Sequence, residues 1–169
     1  MTRAFLSRFL RDSSAAAAAE MALAMPILFA LMFTTFEGGN YMWTEHKVVK
    51  AVRDGARYAG RLSFDYYDCD SATILDAARE TEIKNLTRTG QISGGTPKVK
   101  DWADDDITVT VECEDDLAYQ NGLYSTFADG VPHVTVSTVV PYPSLLGLLG
   151  FDTSGLGVRA QANAPVTGL

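Results

Sequence analysis

The feature that most constrains this chain is an apolar run near its amino terminus, from Ala15 to Phe36. The run covers 22 residues. A helix of that length spans about 33 Å, which is close to the hydrocarbon thickness of a bilayer. Glu20 is its single charged side chain. The run predicts one membrane-spanning helix, and the rest of a 169-residue chain allows one modest globular body.

Charge is divided unevenly along the chain. Residues 1–61 carry 8 Lys and Arg against 5 Asp and Glu, whereas residues 62–169 carry 6 against 16. Arginines before the apolar run predict a cytoplasmic amino terminus, because positively charged flanks stay on that side of the membrane. A cleaved secretory signal is disfavoured, since the run is longer than about 15 residues and its small residues precede the apolar core. The acidic remainder argues against a nucleic-acid partner, because phosphate contacts need clustered Lys and Arg.

Beyond the apolar run, residues 38–62 are predicted to form an amphipathic stem. Gly38 and Gly39 are expected to interrupt the helix, because each costs about 1 kcal/mol relative to Ala. Tyr41 and Trp43 suit the membrane–water boundary. One side of the stem is apolar and the other side is basic. In one alternative, the apolar side packs on the protein's own body and the basic side is solvated. In the other alternative, the basic side contacts anionic lipid or the acidic head of another subunit. This basic face consists of Lys47, Lys50, Arg53, Arg57 and Arg61.

Residues 63–169 predict an acidic α+β head. Asp70 and Ser71 are suited to cap a helix that ends at Gly90, a residue typical of helix ends. Ala72, Leu75, Ile83 and Leu86 would then share the face that lies on a sheet, and the sequence offers no explanation for Arg79 in the middle of that face.

Three segments of the head alternate with a two-residue period and predict a small antiparallel sheet. They cover residues 107–114, 133–140 and 157–164. The segment 141–151, "PYPSLLGLLGF", is too apolar for an ordinary exposed loop. It is expected to fold back over the edge of the sheet, and a sticky surface for a partner is the alternative.

The chain has two cysteines, Cys69 and Cys113, and both follow the apolar run on the side predicted to be oxidising. A disulfide is therefore expected, with two separate buried thiols as the alternative. The bridge would staple the second helix to the sheet. Closing this loop is expected to contribute on the order of 4 kcal/mol.

The sequence lacks a recognisable catalytic motif, so no enzyme activity and no cofactor are expected. His46 and His133 have no zinc-chelating spacing, and no glycine-rich phosphate loop follows a strand. Asp104, Asp105 and Asp106 are weak calcium candidates. They lack the order of an EF-hand loop, so a solvated acidic surface is favoured and no metal site is expected.

The amino-terminal third resembles a known family. A basic leader, small residues, Glu20, Pro26 six residues later and a stem ending in "AVRDGARYAG" are similar to the TadE-like pseudopilins of tight-adherence (Tad) pili, relatives of type IV pilins. The resemblance implies an inner-membrane precursor that a prepilin peptidase cuts between Ala15 and Ala16. Glu20 would then be the fifth residue of the mature chain and would pair with the amino terminus of a neighbouring subunit during assembly.

The resemblance also implies a pilin-like α+β fold: a long amino-terminal hydrophobic and amphipathic helix, and a second helix packed on a small antiparallel sheet of about three strands. A cytoplasmic leader (1–15), a transmembrane part (16–37) and the stem (38–62) would precede a periplasmic head (63–169). The implied function is that of a minor pseudopilin in the assembly or initiation of a Tad/Flp-type pilus used in surface adherence. Its implied partners are other pilins and pseudopilins, the Tad assembly platform, the peptidase and membrane lipid.

One residue departs from the family pattern. The usual residue before the cut is Gly, and here it is Ala15. This departure supports an alternative function, a permanently anchored periplasmic binding or scaffold module that is neither processed nor assembled.

Overall fold

The computed structural model describes residues 13–114, 122–125, 130–153 and 155–168. Residues 1–12, most of the expected leader, lie outside the described residues. The chain divides into two compact units, Met1–Asn40 and Tyr41–Leu169. The described residues of the first unit are helical, and the second unit contains the α+β head together with most of the stem.

The long helix α1 covers Ser13–Ala59 and contains Pro26. It continues through Gly38 and Gly39, so the interruption expected there is wrong. A break would have created two new helix ends, each with up to four unsatisfied backbone groups, which outweighs the modest cost of two glycines.

Within Tyr41–Leu169, the apolar side of α1 is buried under the head. The fully or almost fully buried side chains there are Val48, Ala51, Val52, Ala56 and Ala59. The apolar side therefore packs on the protein's own body, whereas the surroundings of the basic side stay a prediction.

Helix α2 covers Ala77–Thr89 and begins later than the sequence predicted. The Asp76 carboxylate accepts a hydrogen bond of 2.8 Å from the backbone N–H of Ala78, which makes it the N-cap in place of Asp70 and Ser71. The earlier start is excluded by Ala72, whose φ of 54° is left-handed. The predicted end is confirmed, because Gly90 is left-handed and its N–H donates to the Leu86 carbonyl at 2.8 Å.

The described part of the head contains two antiparallel sheets. Strands β1 (Tyr67–Asp68) and β2 (Thr73–Ile74) form the smaller one, which the sequence analysis missed. The larger one has the order β3-β4-β5, and both of its strand pairs are antiparallel, so the predicted three-stranded meander is confirmed. These strands cover Ile107–Glu114, Val131–Pro141 and Gly157–Pro165.

The core lies between the stem, α2 and one face of the larger sheet. Ile83 of α2 is fully buried, as expected, whereas Leu75 precedes the helix and is 63% exposed. Trp102 is buried, and its indole N–H donates to Thr138 Oγ1 at 3.1 Å. The Thr138 hydroxyl in turn donates to the Asp106 carbonyl at 2.8 Å, so this buried polar pair is satisfied.

The predicted disulfide between Cys69 and Cys113 is present, with Cα atoms 5.5 Å apart. Its structural role differs from the expected one. Cys69 lies in the turn between β1 and β2, so the bond joins the small sheet to β3 instead of joining α2 to the sheet.

In the apolar segment after β4, Leu145 and Phe151 do not fold back over the sheet edge as expected, because they are 42% and 63% exposed. The segment closes on itself instead. The N–H of Tyr142 donates to the Leu156 carbonyl at 3.1 Å, and the N–H of Phe151 donates to the Leu146 carbonyl at 3.3 Å. These bonds close the loop locally, and the side chains of Leu145 and Phe151 face outward.

Candidate assembly surfaces

The first unit presents an exposed apolar surface. Met21, Leu23 and Ile27 are 60%, 77% and 64% exposed. Residues 16–59 include a stretch long and apolar enough to cross a membrane, with a mean hydropathy of 1.9 and none of it buried within the protein. Such a surface needs lipid or other protein around it.

Glu20 lies on this surface and is exposed. The bond between Ala15 and Ala16 lies in the first turn of α1, where helices fray. Pro26 lies further along the same helix and has no N–H to donate, so the carbonyl of residue 22 loses its intrahelical partner. The structure therefore shows these predicted residues on one helix but does not test their roles.

All five side chains of the basic face are exposed. The Lys47 ammonium lies 5.2 Å from the centroid of the Trp43 ring, a cation–π arrangement. Trp43 is itself 63% exposed, so both groups are available to a surface outside the chain.

A lysine that the sequence analysis did not single out joins this basic region. Lys98 lines a cleft of about 460 Å³ together with Lys47, Lys50, Asp54 and Gly90. Burial lowers the pKa of Lys98, the Asp54 carboxylate opposes that shift, and the Lys50 charge adds to it. Lys98 is brought to the stem by tertiary packing, so no local sequence pattern indicates it.

The small residues of the "GARYAG" segment have a packing role that the sequence analysis missed. A Cβ atom at Gly55 would overlap the Thr87 hydroxyl of α2, and one at Gly60 would lie 2.7 Å from the Pro165 carbonyl oxygen. At the end of α1, the Tyr67 hydroxyl donates to the Ala59 carbonyl at 2.6 Å, and burial raises the pKa of this tyrosine. The segment therefore fits the stem closely to its own head.

Arg79, unexplained from the sequence, takes part in a network that joins α2 to the stem and to the turn before β1. Its guanidinium donates to the Glu82 carboxylate at 2.6 Å, and the same carboxylate oxygen accepts from the Tyr58 hydroxyl at 2.7 Å. The guanidinium also lies 5.5 Å from the Tyr66 ring centroid. Burial, followed by the hydrogen bond to Glu82, raises the pKa of Tyr58. This half-exposed network is structural.

The three calcium candidates have different surroundings. Asp104 pairs with Arg88 at 2.7 Å, and Asp106 accepts from the backbone N–H of Ala103 at 2.8 Å. Asp105 is exposed. Among the residues that the structure describes, no group of three His, Cys, Asp or Glu residues is arranged to hold a metal ion. The Asp104 carboxylate therefore forms an ion pair, and the Asp106 carboxylate stabilises a turn.

Fold and surfaces together define a class: a pilin-like α+β protein whose described residues include one membrane-capable helix, at the amino-terminal end. Residues 15–57 match the TadE-like protein family. The match contains Ala15, Glu20 and Pro26 and ends within the stem. This family consists of pilin-like proteins that are generally structural and not enzymatic. No curated protein and no solved structure matches the chain.

Proposed function

We propose that the chain is a TadE-like minor pseudopilin that takes part in the assembly or initiation of a Tad/Flp-type pilus used in surface adherence. The observation that carries the proposal is the family match over residues 15–57, which begins at the expected processing site and includes Glu20. The amino terminus would lie in the cytoplasm and the head in the periplasm. Other pilins and pseudopilins, the assembly platform, the prepilin peptidase and membrane lipid are the proposed partners.

In this proposal Glu20 acts only after the leader is removed. Cleavage before Ala16 creates an α-amino group, and Glu20 is then the fifth residue of the new chain. An acidic side chain without a partner is unfavourable inside a bilayer, by up to about 2.5 to 3.5 kcal/mol at its centre and by less near its surface. The amino group of a neighbouring subunit would offset this cost only where two helices are in the correct axial register, so the charge pair would select that register.

Amino-terminal sequencing of the protein recovered from envelopes tests processing. The expected start is Ala16, lost when the prepilin peptidase gene is deleted. Ala15→Gly is expected to be cut at least as fast as the wild type, and Ala15→Leu to be cut far more slowly, because a larger side chain obstructs approach to the backbone. Equal processing of all three proteins would contradict the assigned site.

Substitution of Glu20 tests the register mechanism. Glu20→Ala is expected to insert into the membrane and to be processed normally, yet to enter or initiate pili at least tenfold less well. Glu20→Asp, which keeps the charge, is the matched control and should retain more assembly than Glu20→Ala. Unchanged piliation in Glu20→Ala would refute the role of the carboxylate.

The second candidate is a permanently anchored periplasmic binding or scaffold module. The specific observation in its favour is Ala15, where the family usually has Gly. An envelope protein that starts at Met1 or Thr2, and normal pili in its absence, would support this alternative and exclude the pseudopilin role.

A further inference from the structure

The loop between β4 and β5, residues 142–156, carries an exposed apolar patch. Phe151 is 63% exposed, Leu156 is 52% exposed and Leu145 is 42% exposed. Val139, near the end of β4, adds a side chain that is 50% exposed. Within residues 142–156 the one charged side chain is Asp152. A patch of this kind on a small head needs a partner of apolar chemistry.

A ring contact locates this loop relative to the chain's own apolar run. The ring of Tyr142, at the start of the loop, packs edge-on against Tyr41, with centroids 5.2 Å apart. Tyr41 follows Phe36, the last residue of the run, by five positions. Five residues span about 8 Å as helix and at most about 18 Å when extended. If the run crosses a bilayer, Tyr41 therefore stays near the surface of that bilayer in any orientation of the head.

We propose that the loop docks on the phospholipid bilayer as a second membrane contact, with Phe151 and Leu156 inserted at the boundary between headgroups and acyl chains. Trp43, close to Tyr41 in the chain and 63% exposed, supplies the kind of amphipathic ring that favours this depth. Arg159 is exposed on β5 just beyond the loop and is available to lipid phosphates. Apolar insertion combined with a flanking cation is the chemistry of interfacial membrane contacts.

Lipid is favoured over a second copy of the head because of this tether. The contact with Tyr41 keeps the patch within reach of the bilayer in every single molecule, whereas a second head must be recruited from solution or from the membrane plane. The effective concentration of a tethered surface exceeds that of a free partner. The inference requires that residues 16–37 span a membrane, but it does not require pilus assembly.

Fluorescence quenching of the full chain in nanodiscs tests the proposal. Trp43→Phe serves as the background, and buried Trp102 remains as an internal reference. Phe151→Trp places a reporter in the patch, and Leu75→Trp is the matched control with the same 63% exposure. Leu75 lies beside the segment that follows the stem, because its N–H donates to the Tyr66 carbonyl at 2.9 Å. Phospholipid brominated on its acyl chains should quench the patch reporter several-fold more strongly than the control reporter.

Similar quenching of the two reporters, or none of the patch reporter, would overturn the proposal. In a different outcome, the patch reporter escapes quenching by brominated lipid and becomes less exposed to solvent as the number of chains per disc rises. That result would also overturn the proposal and would indicate that the patch contacts a second copy of the chain. A further reporter, Leu156→Trp, should lose most of its quenching when Phe151→Asp is added, while unchanged Trp102 emission reports an intact head. Because the protein in nanodiscs is unassembled, this result is independent of the proposed pilus function.

Discussion

The two parts of helix α1 have similar backbones and opposite surroundings. From Ala16 to Phe36 the large apolar side chains are exposed, and the structure leaves none of the membrane-capable stretch buried. From Thr44 to Ala59 one side is buried under the head while the basic face is exposed. Among the residues that the structure describes, the first part packs against no apolar surface, and the second part packs against one.

This difference shows that the helix performs two separate tasks. The first part depends on its length and hydrophobicity, properties that a bilayer or a bundle of similar helices can recognise. The second part depends on individual contacts with the head, such as Gly55 against Thr87 and the Ala59 carbonyl against the Tyr67 hydroxyl. Changes to the head should therefore leave membrane insertion intact, and single changes to the first part should leave the head folded.

Removing the disulfide should have the largest effect on the head alone. The double variant Cys69→Ala, Cys113→Ala opens a loop with a sequence separation of 44, and the unfolding free energy should fall by about 4 kcal/mol because the unfolded chain regains entropy. Urea unfolding in detergent, followed by Trp102 fluorescence, measures this change. Alkaline extraction of membranes should still find the variant inserted, and loss of insertion would break the distinction between the two parts.

Glycine substitutions compare the two parts of the same helix directly. In Gly55→Ala the new Cβ overlaps the Thr87 hydroxyl, and forced overpacking of this kind costs about 1 to 3 kcal/mol. Gly38→Ala is the matched control. Nothing lies within 4 Å of its Cβ, so the gain in helix propensity should leave head stability unchanged or slightly higher.

Thr87→Ala should recover part of the loss in Gly55→Ala, because it removes the overlapping oxygen. Urea midpoints of the single and double variants test this coupling. Equal destabilisation by Gly38→Ala and Gly55→Ala would show that helix propensity, and not contact with the head, determines the effect.

The sequence predicted the features whose signals are local or strongly periodic. The apolar run shows the membrane-capable helix by length alone, and alternation shows β3, β4 and β5 because one face of their sheet is buried. By contrast, β1 and β2 have two residues each, too few for a period to appear. The predicted start of α2 was wrong because the Ser71 hydroxyl does not cap a helix. It donates to Asp68 in a turn instead.

The sequence could not predict the parts of the candidate surfaces that depend on contacts between residues far apart in the chain. Glu20, Pro26 and the basic face are arranged by helix geometry, so their positions follow from spacing. Lys98 reaches the stem and Tyr142 reaches Tyr41 only through the packing of the head. The apolar loop was expected to cover the sheet, since hydrophobicity alone does not distinguish burial within a chain from a surface that meets a partner outside it.

The smallest effect concerns acid sensitivity, which should belong to the head and not to the first part of α1. The hydroxyl of Ser71, followed by the backbone N–H of Asp70, donates to the Asp68 carboxylate and lowers its pKa. The folded head thus binds this proton less tightly than the unfolded chain does. The resulting stabilisation is fully present above the ordinary Asp pKa of about 4 and is lost as the pH falls through the lowered value.

Asp68→Asn should therefore be slightly less stable than the wild type at pH 7, and the difference should shrink towards pH 2. Ser71→Ala should show the same trend, because it removes the donor that contributes most to the shift. Urea midpoints at both pH values measure these differences, and a constant difference would show that the Asp68 charge does not support the turn.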